Sequence, residues 1–142
     1  MNNISFHNEG VNTKTPSKRL LKAWIKEFVS NHGKKVGELA FVFCSDEKIL
    51  EVNQNFLQHD YYTDIITFGL HDKGTPVVAE VYISTDRVKE NAATHGVTYT
   101  NEMLRVLFHG ALHLCGYKDK SKADILTMRA KEDAYLKRYT KK

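Results

Sequence analysis

Cysteine and proline are scarce in this sequence, and it has no long hydrophobic run. The chain contains two cysteines and two prolines in 142 residues. Two cysteines are too few for a disulfide scaffold, so we expect Cys44 and Cys115, each in an apolar segment, to be reduced thiols that act as small hydrophobic residues. No segment approaches the ~20 apolar residues of a membrane-spanning helix, and the polar first residues lack the pattern of a signal peptide. These absences predict a cytoplasmic protein with no membrane partner.

The residues that are present are typical of one globular domain. The chain is 42% hydrophobic and 27% charged, and it has no repeat, linker or low-complexity segment. We therefore expect residues 1–142 to form a single domain. The net charge is +4, with basic residues concentrated near 14–26, 34–35 and 137–142. This balance is compatible with a polyanionic partner, although charge alone favours a solvated surface without a partner.

Hydrophobic periodicity predicts four strands interleaved with about five helices. The strands are expected at residues 4–10, 38–45, 63–70 and 75–84, and the helices at 16–33, 46–57, 85–94, 101–115 and 123–139. A glycine-containing HDKG segment between the third and fourth strands suits a hairpin. The pattern predicts an α/β (α+β) layered domain with a small mixed four-stranded sheet.

The segment HGALHLCGYKD, residues 109–119, carries the main functional signal. On the fourth predicted helix, His109 and His113 lie one turn apart at the edge of the apolar stripe, so both imidazoles point the same way. Gly116 can adopt a positive φ and turn the chain back across this face, towards which Asp119 then returns. Two imidazoles and a carboxylate suit one zinc ion, or another divalent transition metal, with a fourth position for water. The alternative is a pair of half-buried structural histidines, which the combined spacing makes less favourable.

The spacing His-x3-His-x2-Gly-x2-Asp matches the metzincin frame except at two positions. Gly110 stands where those proteases have a glutamate, and Asp119 where most have a histidine. Glycine cannot take a proton from water, so peptide hydrolysis by that mechanism is disfavoured, and the small residue should leave room near the metal. A zinc ion, which lowers the pKa of its bound water towards neutrality, also suits attack on a phosphodiester.

Three segments, in order, resemble the YbeY family of bacterial rRNA maturation factors. HGALHLCGYKD is similar to the family motif His-Gly-x-Leu-His-Leu-x-Gly-Tyr-Asp-His. VNQNFLQHDYYTDIITF is similar to the family's Leu-Asn-x-x-Tyr-Arg segment and the Thr-Asp-Val-Leu-Ser-Phe strand that follows it. AEVYISTDRVKENA is similar to the family's Gly-Asp-Ile-x-Ile-Ser strand and the helix after it. The resemblance implies a zincin-like metal site at a helix end, with ligands at His109, His113 and, by position, Asp119. It also implies a single-strand-specific metallo-endoribonuclease that matures the 3′ end of small-subunit (16S) rRNA and acts in ribosome quality control. Its implied partners are single-stranded RNA and the ribosome or ribosomal proteins.

Two departures from the family pattern affect this expectation. Asp119 replaces the usual third histidine, and we expect it to ligate the metal; the alternative is that Lys118 and Asp119 both point away and a water fills the position. Leu57 replaces an arginine that would be a natural clamp for a phosphate. The candidates to take over that role are His59, Arg87 and Arg105.

The pattern leaves the catalytic residues beyond the ligands open, with Glu80 and Arg105 as weak candidates. Glu80 could orient a ligand or act as a base, or it could be an edge-strand charge. Tyr61, Tyr62 and Tyr99 could stack on bases or serve packing. The nucleophile could be a water or the RNA 2′-hydroxyl.

Two other functions remain alternatives. A ribosome-assembly factor that binds RNA or protein around a structural metal is favoured by Leu57, and a metallopeptidase by the metzincin-like spacing.

Overall fold

The computed structural model describes residues 3–13, 18–57, 64–70, 74–117 and 121–140. In these residues the chain forms β1 (Ile4–Asn8), α1 (Lys18–Asn31), β2 (Val36–Cys44), α2 (Asp46–Val52) with a π-helical turn after it (Asn53–Leu57), β3 (Ile65–Gly69), β4 (Val77–Ser84), α3 (Thr85–His95), α4 (Tyr99–Leu114) and α5 (Lys122–Thr140). The predicted α+β domain, with four strands and five α-helices, is confirmed. No helix in this part of the chain is long and apolar enough to cross a membrane.

The four strands form one mixed sheet in the order β1-β2-β4-β3. β1 and β4 both run parallel to β2, whereas β3 runs antiparallel to β4, as the predicted hairpin requires. Residues 71–73 of the hairpin connection lie outside the described residues. The central strand β2 is buried on both faces from Phe41 to Cys44, which explains its continuous apolar run.

Four helix starts are fixed by hydroxyl caps, those of Ser45, Ser84, Thr98 and Ser121. The Oγ of Ser45 accepts a hydrogen bond from Lys48 N at 3.2 Å, and Oγ1 of Thr98 accepts one from Asn101 N at 3.1 Å. Helix α3 begins at Thr85, as expected, and Ser84 is its N-cap, with its Oγ accepting a hydrogen bond from Arg87 N at 3.2 Å. Each cap satisfies a backbone N–H that has no partner within the first turn of the helix.

Helix α4 occupies the centre of the domain, packed against β3, β4, α1, α3 and α5. The sequence predicted a single apolar stripe, but most of the helix is buried because neighbours cover it on several sides. After its first two residues, the half-buried positions form one row at a spacing of four: Asn101, Arg105, His109 and His113. The two histidines therefore stand on the side of α4 where its side chains can still reach solvent or a ligand.

Candidate metal centre

The structure brings His109 and His113 together on consecutive turns of α4. Their ring centroids are 5.2 Å apart and their ring planes lie at 87° to each other. Both residues are half-buried. Two imidazoles at this separation on one helix face are a suitable pair of nitrogen ligands for one transition-metal ion.

Gly110 lies on the sheet side of α4. A Cβ at this position would be 3.0 Å from Ile65 Cδ1 and 3.3 Å from Val81 Cγ1. The expectation that the small residue leaves room near the metal is therefore wrong, since the sheet fills that space. Glycine is needed here because it lets α4 approach β3 and β4 closely, and a glutamate would point its carboxylate into the core.

Glu132 of α5, which is not among the residues expected from the sequence, contacts His109. Its Oε2 lies 2.6 Å from His109 Nδ1, and its Oε1 accepts a hydrogen bond from Arg105 Nη1 at 3.0 Å. The residue is only 4% exposed. A histidine that ligates a metal commonly donates its other ring N–H to a carboxylate, which is the position Glu132 occupies.

A sequence signal for Glu132 does exist. On α5 the residues Met128, Glu132 and Leu136 follow each other at intervals of four, and all three are buried. A glutamate inside an otherwise apolar row must find a polar partner in the interior, because an unpaired buried carboxylate is costly. The partner could not be identified without knowing which helix packs against α5.

Arg105 is held by two carboxylates of α5. Besides the bond to Glu132, its Nη2 lies 2.5 Å from Asp133 Oδ1. Burial lowers the pKa of the Arg105 guanidinium, but the hydrogen bonds to Asp133 and Glu132 outweigh this effect and raise the pKa above its ordinary value. The candidate phosphate clamp is thus a charged group engaged within the protein, one turn before His109.

The structure does not bring Glu80 to the histidines. Glu80 is exposed and alternates along β4 with Ala79 and Val81, which are buried in the core against the helices. Since successive strand residues face opposite sides of a sheet, Glu80 lies on the face away from Gly110 and α4. The Tyr82 hydroxyl donates a hydrogen bond of 3.4 Å to its Oε1.

Two other sequence candidates are engaged in structural contacts. Arg87 donates from Nε to both Asp46 carboxylate oxygens at 3.1 Å, which joins the N-termini of α2 and α3. The hydroxyls of Tyr99 and Thr13 are 2.8 Å apart, and the Tyr99 ring packs against the core. Neither arrangement brings the residue to the histidine pair.

Several predicted residues cannot be placed. The third ligand Asp119 and its neighbour Lys118, together with His59, Tyr61 and Tyr62, lie outside the described residues. Leu57 ends the π-helical turn after α2.

The turn that leads from α4 towards Asp119 has the predicted geometry. Gly116 has a φ of 99°, and Tyr117 N donates to Leu112 O at 3.1 Å, which closes the end of the helix. The Tyr117 hydroxyl lies 3.0 Å from His32 Nε2, while His32 Nδ1 lies 2.9 Å from Phe28 O. Because only a protonated ring nitrogen can bond to a carbonyl, Nδ1 of His32 donates to Phe28 O. His32, which directly follows α1, thereby anchors Tyr117, the last residue before the segment 118–120.

A cleft of about 350 Å³ opens beside His109, between α3, α4, α5 and the start of β3. Its lining includes Arg105, Glu132 and Arg129. His95 and Glu102 also line it, and the Nδ1 of His95 lies 3.7 Å from Oε1 of Glu102. The volume is in the range of small-ligand sites, and the lining carries both signs of charge.

The donor set fits a divalent transition metal, with the third ligand still to be supplied. The described residues contain no group of three histidine, cysteine, aspartate or glutamate side chains that could hold a metal ion. They do contain the two imidazoles and a carboxylate in contact with one of them. A complete three-ligand centre requires a residue from the part of the chain that is not described, where Asp119 lies.

Comparisons with known proteins cover almost the whole chain. A family model described as "Endoribonuclease YbeY" matches residues 3–140. The "Endoribonuclease YbeY" of Porphyromonas gingivalis is 48% identical over 136 residues, which are 96% of this chain and 89% of that protein. The protein of the same name from Bacteroides thetaiotaomicron is 44% identical over 133 residues, or 94% of this chain and 96% of the relative. The solution structure of TM1509 from Thermotoga maritima is 30% identical and superposes with a TM-score of 0.64, covering 96% of this chain and 88% of the other.

Proposed function

Since the chain belongs to the YbeY family of endoribonucleases, we propose that it is a zinc-dependent enzyme that cuts single-stranded RNA while the 3′ end of small-subunit (16S) rRNA is matured. Within this proposal it acts in the cytoplasm, on the ribosome or with ribosomal proteins, and contributes to ribosome quality control. The observation that supports the metal-dependent step is the pair His109 and His113 on the accessible row of α4, with Glu132 on the first imidazole.

His109, His113 and Asp119 would hold one zinc ion. When bound, the ion supplies Lewis acidity, which activates a water or stabilises charge on a phosphate oxygen. The protein side chains perform the remaining work. Glu132 keeps the His109 ring in one orientation, and the close packing of Gly110 on the sheet fixes the height of both histidines above β3 and β4.

Arg129 is the residue we propose for holding the RNA phosphate. It is exposed and lines the cleft beside His109, and no carboxylate of the described residues forms an ion pair with it. Arg105 and Arg87, by contrast, are engaged by carboxylates. A guanidinium can bind two phosphate oxygens at once, so Arg129 can supply the contact that Leu57 cannot.

The test is cleavage of an end-labelled single-stranded RNA by zinc-loaded protein, run beside His113→Ala purified in the same way. We expect cleavage by the first protein and none by the second, because the variant lacks a ligand. Equal cleavage by both would identify a contaminating nuclease. If the wild-type protein holds one zinc ion per chain and still cuts no RNA, the ribosome-assembly factor with a structural metal becomes the better explanation.

The same assay identifies the nucleophile. An RNA with a single 2′-deoxy nucleotide at the mapped cleavage position should resist cutting if the 2′-hydroxyl attacks the phosphate, and should be cut normally if water does. A peptide panel incubated with the same preparation addresses the metallopeptidase alternative, for which Gly110 offers no proton acceptor.

A further inference from the structure

The two oxygens of the Glu132 carboxylate have different partners. Oε1 accepts a hydrogen bond from Arg105 Nη1 at 3.0 Å, whereas Oε2 lies 2.6 Å from His109 Nδ1. The residue is 4% exposed and has the apolar Met128 and Leu136 one turn to either side on α5. A carboxylate can be buried among apolar neighbours only when such partners offset its loss of hydration.

Arg105 is fixed from a second direction. Its other terminal nitrogen contacts Asp133, which follows Glu132 on α5 and has a side chain that is 57% exposed. The result is a continuous chain of contacts from Asp133 through Arg105 and Glu132 to His109. A contact that served only to join α4 to α5 would be complete with Arg105 and the two carboxylates. The short bond from Glu132 to the His109 imidazole is not needed to join the two helices.

The bond determines which nitrogen of His109 can bind a metal. An ionised carboxylate only accepts hydrogen bonds, so Nδ1 at 2.6 Å must carry the proton. In the neutral ring Nε2 is then the nitrogen with a lone pair, and a metal must be bound through it. Contacts of this kind fix the tautomer of a ligand histidine, orient its ring and increase its basicity.

We propose that Glu132, held by Arg105, is the positioning residue that prepares His109 to ligate the metal through Nε2. The inference rests on the proposed metal centre. It assigns Arg105 to the support of a ligand and away from the RNA phosphate.

The variant Glu132→Gln separates this role from simple helix packing, because it keeps the length and shape of the side chain. If the amide oxygen accepts from Arg105, the amide NH2 faces His109 Nδ1, which must then become the acceptor. The proton moves to Nε2, and that nitrogen loses the lone pair that the metal needs. We expect the zinc dissociation constant, measured by competition with a chromophoric chelator, to rise about 10- to 100-fold.

A second readout needs no metal. Long-range proton–nitrogen NMR of the metal-free protein, recorded at a pH at which the His109 ring is neutral, should show this ring as the Nδ1–H tautomer in the wild type and as the Nε2–H tautomer in Glu132→Gln. Asp133→Asn is the matched control, since it removes the exposed carboxylate from Arg105 and leaves the bond to His109 in place. It should keep both the wild-type tautomer and the wild-type zinc affinity.

The outcomes distinguish this inference from the proposed function. Wild-type zinc affinity in a folded Glu132→Gln protein, or an unchanged His109 tautomer, would overturn the positioning role and leave the metal centre standing. A wild-type protein that binds no zinc would overturn the metal centre and the inference with it. If Glu132→Gln does not fold, Glu132→Asp takes its place: it keeps the charge but withdraws the carboxylate by one methylene, and it must weaken zinc binding for the inference to hold.

Discussion

Replacing Gly110 with alanine tests whether α4 is as closely packed on the sheet as the structure indicates. Two effects oppose each other. Alanine in a helix interior is favoured over glycine by about 1 kcal/mol. The new Cβ, however, would lie 3.0 Å from Ile65 Cδ1 and 3.3 Å from Val81 Cγ1, and overpacking of a core typically costs about 1–3 kcal/mol.

The neighbours decide the balance. Val81 is fully buried and β-branched, so it cannot turn aside, whereas Ile65 is half-buried on the edge strand β3 and its terminal methyl can shift. We therefore expect a net loss of about 1 kcal/mol in the free energy of unfolding, with a Tm lower by about 3–4 °C for a domain of this size.

Thermal and urea unfolding of Gly110→Ala should be compared with Ala134→Gly, an exposed position within α5 that measures the helix-propensity effect alone. If Gly110→Ala gains as much stability as Ala134→Gly loses, the packing cost is absent and the account of Gly110 is refuted.

Two further predictions concern the cleft and the core. Arg129→Ala should raise KM for RNA and leave zinc affinity unchanged. The control is Lys131→Ala, which changes an exposed residue of the same helix outside the cleft and should alter neither quantity. Equal effects of the two changes would exclude a specific phosphate contact by Arg129. Burial, followed by the Glu9 carboxylate, raises the pKa of the Cys44 thiol from 9.0 to about 12. Because the unfolded chain then releases this proton at a lower pH than the folded chain, the free energy of unfolding should fall as pH rises from 9.0 towards 12. The fall, measured by urea unfolding, should be less steep in Cys44→Ala. An equal dependence of the free energy of unfolding on pH in the two proteins would contradict the raised pKa.

The fold was predictable where the signals are local. Gly116 at the end of α4 and the antiparallel pairing of β3 with β4 both depend on residues close in the chain, and the structure confirms both. The order β1-β2-β4-β3 depends on which strands meet across the sheet, and periodicity carries no information on that pairing.

The candidate site shows the same division between local and long-range information. His109 and His113 follow from a spacing of four on one helix, and they are adjacent in the structure. Glu80 does not lie near them, because its position depends on contacts between residues distant in the sequence. Alternation along β4 assigns Glu80 and Val81 to opposite faces, but the sequence does not state which face receives α4. The contact between Gly110 and Val81 answers that question, and it places Glu80 on the other side.

The burial of α4 also explains why the remaining parts of the centre come from later in the chain. Past the first turn, the half-buried side chains of α4 form a single row, so other groups must approach the histidines along that row. Helix α5 does so with Glu132, which reaches His109 across the row while Arg105, one turn earlier, holds the carboxylate. The turn at Gly116, anchored through Tyr117 to His32, directs the chain into the segment that carries Asp119. Disrupting His32 should therefore weaken metal binding at a distance, through the position of this turn, and should leave the His109–Glu132 bond intact.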